Sequence, residues 1–258
     1  MLKLNQVKHI MKYTVLETLY SRVYYNVFVL GFVLFLISFI AAELTYGVPS
    51  RVAIDFGLGL STIAAIGIAI FLGSGLIAKE IESRTIYMML SRPVTRTSFL
   101  SGKLLGLLII LFSNSLILYT ISLIMYFFLG GEYSNLLIWC FLFSFFEASI
   151  ILLIVVMFSL ILNQTLSIIV SLSIYVAGHS LTGLTELSFV KNNTILKIGA
   201  EITQFILPNF SKLNIKDFVI YKDSLPLHFL FSATLHAFLF ILLLLGITIF
   251  IFNRKSLD

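Results

Sequence analysis

Six long apolar stretches restrict this chain to one class of fold. They run over 23–44, 54–78, 104–129, 136–162, 166–184 and 229–252. About 20 helical residues cross a hydrocarbon core about 30 Å thick, and each stretch reaches or approaches that length. Backbone polar groups cannot be left unpaired in lipid, so every crossing must be a helix or belong to a closed barrel. Barrel strands alternate apolar and polar residues with period two, and no such alternation is sustained here. The expected fold is therefore an all-α integral membrane protein with six transmembrane helices. With 59% hydrophobic residues in 258, an ordinary soluble domain is excluded.

The first stretch is preceded by Lys3, Lys8 and Lys12, as in a secretory signal. A signal's apolar region is about 7–15 residues, shorter than 23–44, so this stretch is read as a retained first span. Within residues 1–22, Leu4, Val7, Met11, Val15 and Leu19 recur at spacings of three and four. That periodicity predicts an amphipathic helix lying along the membrane surface; a soluble N-terminal tail is the alternative. Residues 23–258 then form the six-span domain.

Short links organise the later spans. Gly130-Gly131-Glu132 and Asn163-Gln164-Thr165 are turn sequences between apolar runs, and connections this short join antiparallel neighbours. The segment 185–228 is a long loop. Its apolar patches, Ile195–Ile198 and Ile202–Leu207, are too short to span; they are read as re-entrant helices or as parts of an ordinary outer loop. Lysine and arginine set the orientation. With the N-terminus inside, eleven fall on cytoplasmic segments and six on outer ones, five of those six in the single long loop. Both termini and the segment 79–103 are then cytoplasmic.

Chemistry-bearing clusters are few. Cys140 is the single cysteine, inside an apolar run, so there is no disulfide framework. His9, His179, His228 and His236 are dispersed without ligand spacing, and no metal site is expected. The chain also lacks the G-x-x-x-x-G-K-[ST] phosphate loop, because Gly102-Lys103 is followed by Leu104. Any ATP-driven step needs another chain.

The segment from Lys79 to Lys103 stands apart. Seven of its residues are charged (Lys79, Glu80, Glu82, Arg84, Arg92, Arg96 and Lys103), whereas the whole chain is 11% charged. Ile77, Ile81, Thr85 and Met88 form one stripe at spacings of four, four and three, so the second span is expected to run into a surface helix. Ser91-Arg92-Pro93 ends it, since proline disfavours helix at the preceding residue. Thr97 or Ser98 is the expected cap of the next helix. An element joined to two spans in this way can carry a push from a soluble partner into the membrane; a partnerless positive-inside loop is the competing reading.

These residues resemble a known family. Glu82, Arg84-Thr85-Ile86, Leu90-Ser91-Arg92-Pro93-Val94-Thr95-Arg96 and Gly102-Lys103 are similar to the coupling segment of ABC-2-type transporter permeases. The detailed match covers about 25 residues. Six spans with both termini inside, and the Leu207-Pro208-Asn209 step before the last span, extend it. Members often carry glycine where Arg84 stands. The resemblance implies a membrane subunit that is not itself an enzyme, paired with a second permease chain in a homodimer or related heterodimer. It implies cytoplasmic ATPase subunits that hold ATP and Mg, and a location in the cell inner membrane. Glu80, Glu82, Arg84, Thr85, Leu90, Arg92, Pro93 and Arg96 would carry the ATPase coupling. Most of the family exports its substrate, and the Phe-rich spans suit a hydrophobic or amphipathic cargo.

Two further features lie inside the spans. Gly57, Ser61, Ala65, Ala69 and Gly73 repeat every four residues on one helix face, a small-xxx-small pattern that permits close helix approach. The contact is either between two permease chains or within one. Glu147 lies mid-span, where a charge costs about 2.5–3.5 kcal/mol, so it needs a partner or water. It either lines a substrate route or is satisfied as a hydrogen-bonded neutral acid. An ion-driven secondary transporter and an intramembrane enzyme remain the alternatives to the ATP-driven reading.

Overall fold

The computed structural model describes residues 2–20, 23–45, 47–82, 95–186, 193, 198–199, 203, 207–221 and 224–255. Its helices are α1 (Leu2–Leu19), α2 (Val23–Glu43), α3 (Pro49–Glu82), α4 (Arg96–Phe128), α5 (Leu136–Ser159), α6 (Gln164–Glu186), the short α7 (Lys216–Ile220) and α8 (Leu227–Arg254). A single 3-10 turn covers Phe210–Lys212. The protein is an all-α integral membrane protein. Five helices are long and apolar enough to cross a bilayer: α2, α3, α4, α5 and α8. α6 is more polar, because serine, threonine, tyrosine and histidine interrupt its apolar residues. Its Ser167 and Ser171 are fully buried, and each hydroxyl donates to a backbone carbonyl of its own helix.

α5 is the most enclosed element. Residues 147–156 are all buried, with α3, α6 and α8 packed around them. α2 and α8 lie at the periphery and present Phe28, Phe32, Phe231, Phe238 and Phe250 outward. In water such surfaces would drive aggregation; in lipid they are the solvent-compatible face.

The small residues of α3 are spent on its neighbours within the chain. A methyl group on Gly57 would lie 3.0 Å from Ser122 Cβ of α4, and one on Gly73 would lie 3.1 Å from the Leu152 carbonyl oxygen of α5. Ser61, Ala65 and Ala69 between them are buried. Close approach permits polar bridges: Ser122 donates to the Gly57 carbonyl at 3.1 Å, and the hydroxyls of Thr62 and Ser144 lie 3.1 Å apart.

α1 packs along the first turns of α4. Ile10 sits over Gly102 and Thr14 over Gly106, one helical turn apart. Lys103, buried between them in sequence, pairs with Glu17 at 3.5 Å. The buried line on α1 thus includes Thr14 and Thr18, whose hydroxyls bond back to the carbonyls of Ile10 and Thr14. Leu19, at the end of the expected apolar stripe, is exposed.

Both long helices bordering the charged segment are longer than a bilayer core. α3 has 34 residues and α4 has 33, about 50 Å each at 1.5 Å per residue, against a core of about 30 Å. α4 starts earlier than expected. Its cap is Thr95, extended at φ −76°, ψ 146°, whose side chain accepts from the Ser98 N–H at 3.2 Å. Thr97 and Ser98 lie inside the helix instead, because Thr95 already satisfies the free N–H that a later cap would have served.

The predicted turns have specific chemistry. Gly130 adopts φ +81°, and the Tyr126 hydroxyl spans the turn by donating to the Glu132 carbonyl and accepting its N–H. Asn163 caps α6 by accepting from the Leu166 N–H at 2.9 Å.

Candidate functional site

The polar centre of the bundle forms where α5, α6 and the segment before α7 meet. Glu147 is 2% exposed, halfway along α5. His179 of α6 places Nε2 2.7 Å from Glu147 Oε1, a hydrogen bond between the two side chains. Among the described residues no other ion pair lies this deep in the helices. The pairing follows from the hairpin: Glu147 lies sixteen residues before Asn163 and His179 sixteen after. Two antiparallel helices with equal rise bring such residues level.

His179 is fixed from its other sides. Its ring stacks on Phe210 at 5.7 Å and meets Tyr175 edge-on at 4.8 Å. Its backbone carbonyl accepts from the Ser211 hydroxyl at 2.8 Å. Phe210 is fully buried, and it reaches α6 because Gly178 has no side chain. A methyl group there would come within 2.5 Å of both the Phe210 ring and the Pro208 carbonyl oxygen. This contact gives the Leu207-Pro208-Asn209 step a structural role: it turns the chain inward.

From there the segment runs back along α3 toward that helix's start. Val219 and Ile220 share a cavity with Arg51 and Ile54, whereas Asn214 and Lys216 share one with Gly59 and Ile63. Ile54 to Ile63 is about 13 Å of helix. Phe210, Leu213, Ile215 and Val219 are all buried along the way. A re-entrant element is thus present, but downstream of the two expected patches; of these, positions 195–197, 202 and 204–206 lie outside the described residues. The second cavity, about 370 Å³, opens beside Glu147, Tyr175, His179 and Lys216.

A second polar knot ties the opposite end. Arg96, at the start of α4, donates to the Lys255 carbonyl at 3.0 Å. Lys255 in turn donates through Nζ to the Leu160 carbonyl at 2.6 Å, just past the end of α5. Phe99 of α4 stacks on Phe252 of α8 beside it. Three helix ends are joined here, about 20 Å along α5 from Glu147.

Of the residues expected to carry coupling, Arg96 is therefore placed in this knot. Glu80 and Glu82 fall on the last turns of α3, with their side chains outside the described residues; Arg84, Thr85, Leu90, Arg92 and Pro93 lie outside them altogether. Gly57, Ser61, Ala65, Ala69 and Gly73 line a helix seam and are not gathered with Glu147. Among the described residues no group of three His, Cys, Asp or Glu side chains is placed to hold a metal. Lys216, Asn214, Ser211 and Phe210 were not singled out by sequence. Only the Glu147–His179 symmetry about Asn163 could have been read beforehand.

An enclosed helix wrapped by long helices with exposed apolar faces defines a multi-pass membrane protein. The model of the ABC-2 family transporter proteins matches residues 60–257. The chain belongs to that family and is an ABC transporter permease. The match begins within α3 and includes the Glu147 site, the re-entrant segment and both long helix ends around 79–103. No curated protein matches the chain.

Proposed function

We propose that this permease is the membrane half of an ATP-driven exporter of a hydrophobic or amphipathic substrate. The observation that carries this reading is the family match over residues 60–257. Cytoplasmic ATPase subunits supply ATP and Mg, and a second permease chain completes the pair. The protein lies in the cell inner membrane with both termini cytoplasmic. α6 is the fifth of six crossings, added to the five longer apolar helices: it starts near the Lys255 knot and runs antiparallel to α5, in keeping with the Glu147–His179 pair.

Coupling passes through residues 79–103, with Glu80, Glu82, Arg84, Thr85, Leu90, Arg92, Pro93 and Arg96 as the contact set. The length of α3 and α4 supports this, since both helices are longer than a bilayer core and border the segment. Movement at the segment would reach α5 and α8 through Arg96 and Lys255. Reversing the charges with Glu82→Lys and Arg84→Glu should abolish transport-coupled ATPase activity while leaving membrane insertion intact. Full coupled activity in that variant would remove the docking role.

A further inference from the structure

α1 carries an outward face that no other helix packs along among the described residues. The helix packs on α4 and, at few points, on α2. Ile10 against Gly102, with buried Thr14 and Thr18, marks its packed side. On the far side Lys8, Lys12, Leu16 and Leu19 follow at spacings of four, four and three, which sets them on one stripe. All four are exposed. Tyr13 and Tyr20 stand beside the stripe, 70% and 91% exposed. Lys8 and Lys12 form no ion pair among the described residues. Glu17, the single acid of α1, lies off the stripe and pairs with Lys103. Glu80 and Glu82 end α3, which does not pack along α1.

The stripe is graded along its length. Ile10 sits over Gly102 and Thr14 over Gly106, so α1 advances in the same direction as α4. α4 is long and apolar enough to cross the bilayer, and α1 beside it gains depth from one end to the other. Its first turns are level with the start of α4 at Arg96, the end that borders the charged segment. The two lysines thus stand at headgroup level and the two leucines deeper. Lys8 to Leu19 is about 16 Å of helix, close to half of a hydrocarbon core of about 30 Å. Two ammonium groups one turn apart, with no acid between them, favour an anion. The apolar continuation favours an anion that carries chains.

We propose that the outward stripe of α1 binds an anionic phospholipid of the adjoining leaflet, with its headgroup on Lys8 and Lys12 and its chains along Leu16 and Leu19. Tyr13 and Tyr20 frame the site, as amphipathic rings do at a membrane interface. A soluble acidic partner would answer the lysines and leave the leucines uncovered. The proposal stands without the transport reading, because its readouts are lipid binding and cleavage on the permease chain alone.

The test uses the full chain in a neutral detergent, titrated with tail-labelled dioleoyl phosphatidylglycerol or, as the net-neutral control, dioleoyl phosphatidylcholine. The expected result is saturable binding of the anionic lipid, about ten-fold tighter than that of the neutral one, since each lysine near an anionic surface is worth about five-fold. Bound phosphatidylglycerol should also slow trypsin at Lys8 and Lys12, which localises it to α1; phosphatidylcholine should not. The double variant Lys8→Gln/Lys12→Gln should bind phosphatidylglycerol about ten-fold more weakly. Lys8→Arg/Lys12→Arg should retain the affinity, which separates loss of charge from loss of fold. Lys212→Gln, at an exposed lysine of the re-entrant segment, should leave it unchanged. Equal affinity for the two lipids, or an unaltered affinity in the Gln variant, overturns the proposal. So does an equal loss in the Arg variant or in Lys212→Gln, or trypsin cutting that the anionic lipid leaves unchanged.

Discussion

Alanine at Gly102 tests whether α1 is seated on α4 by direct backbone approach. The new methyl carbon would sit 2.8 Å from Ile10 Cβ, 3.0 Å from Ile10 Cγ2 and 3.0 Å from the Val7 carbonyl oxygen. Carbon atoms at ease lie about 3.5–4.0 Å apart, so α1 must retreat by roughly 0.7 Å. Two of the three neighbours are backbone oxygen or Cβ, which move only with the helix. Overpacking of this kind costs about 1–3 kcal/mol. Alanine's better helix propensity returns about 1 kcal/mol. The net expectation is a loss of up to about 2 kcal/mol. Gly106 lies one turn on, where a methyl group would meet Thr14 Cβ at 2.8 Å. Once α1 has retreated for one methyl, the second meets less resistance, so the double variant should lose less than the sum. Gly246→Ala on α8, with nothing within 4 Å, should be neutral or mildly stabilising. Cys140, 2% exposed and the single cysteine, serves as a thiol reporter of unfolding on heating in detergent. Trypsin cutting at exposed Lys8 and Lys12 reports undocking of α1. A Gly102→Ala protein that melts at or above wild type, with both lysines as slowly cut, would refute the close seating.

The Glu147–His179 pair should respond asymmetrically. His179→Ala removes a hydrogen-bond partner from buried Glu147 and opens space beside it, and should cost about 1–3 kcal/mol, whereas Glu147→Gln keeps an acceptor for His179 and should cost about 1 kcal/mol or less; equal losses in detergent melts would contradict the pairing. Phe210→Ala should cost about 3–5 kcal/mol and release the re-entrant segment from Gly178, seen as faster hydrogen exchange across 207–221; unchanged exchange there would mean that Phe210 does not pin it.

The helices were legible because hydrocarbon imposes a single rule, and the apolar runs obey it. α6 is the exception. It forms as expected, yet its apolarity is diluted by Ser167 and Ser171, which are buried, and by Tyr175 and His179, which line the cleft beside Glu147. The turns at Gly130 and Asn163 were equally legible, since their chemistry is local. Caps are local too, but Thr95, Thr97 and Ser98 are all competent, and which one serves is decided by where α4 begins. The site was half legible. Glu147 drew notice by its cost in lipid, but Lys216 and Phe210 matter only because the loop folds inward. That fold depends on Gly178, about thirty residues away in sequence and unremarkable there. The motif Gly102-Lys103 was read through a family resemblance; its physical basis, a seat for Ile10 and a partner for Glu17, is a contact between distant segments.

Purification of the full chain from its native membrane in mild detergent, with mass spectrometry of what remains bound, tests the permease assignment most directly. The prediction is a stoichiometric cytoplasmic ATPase bearing a phosphate-binding loop, lost on reversing the charges of Glu82 and Arg84. A chain that purifies free of any ATPase, and supports no ATP hydrolysis when the candidate subunits are added back, would contradict it.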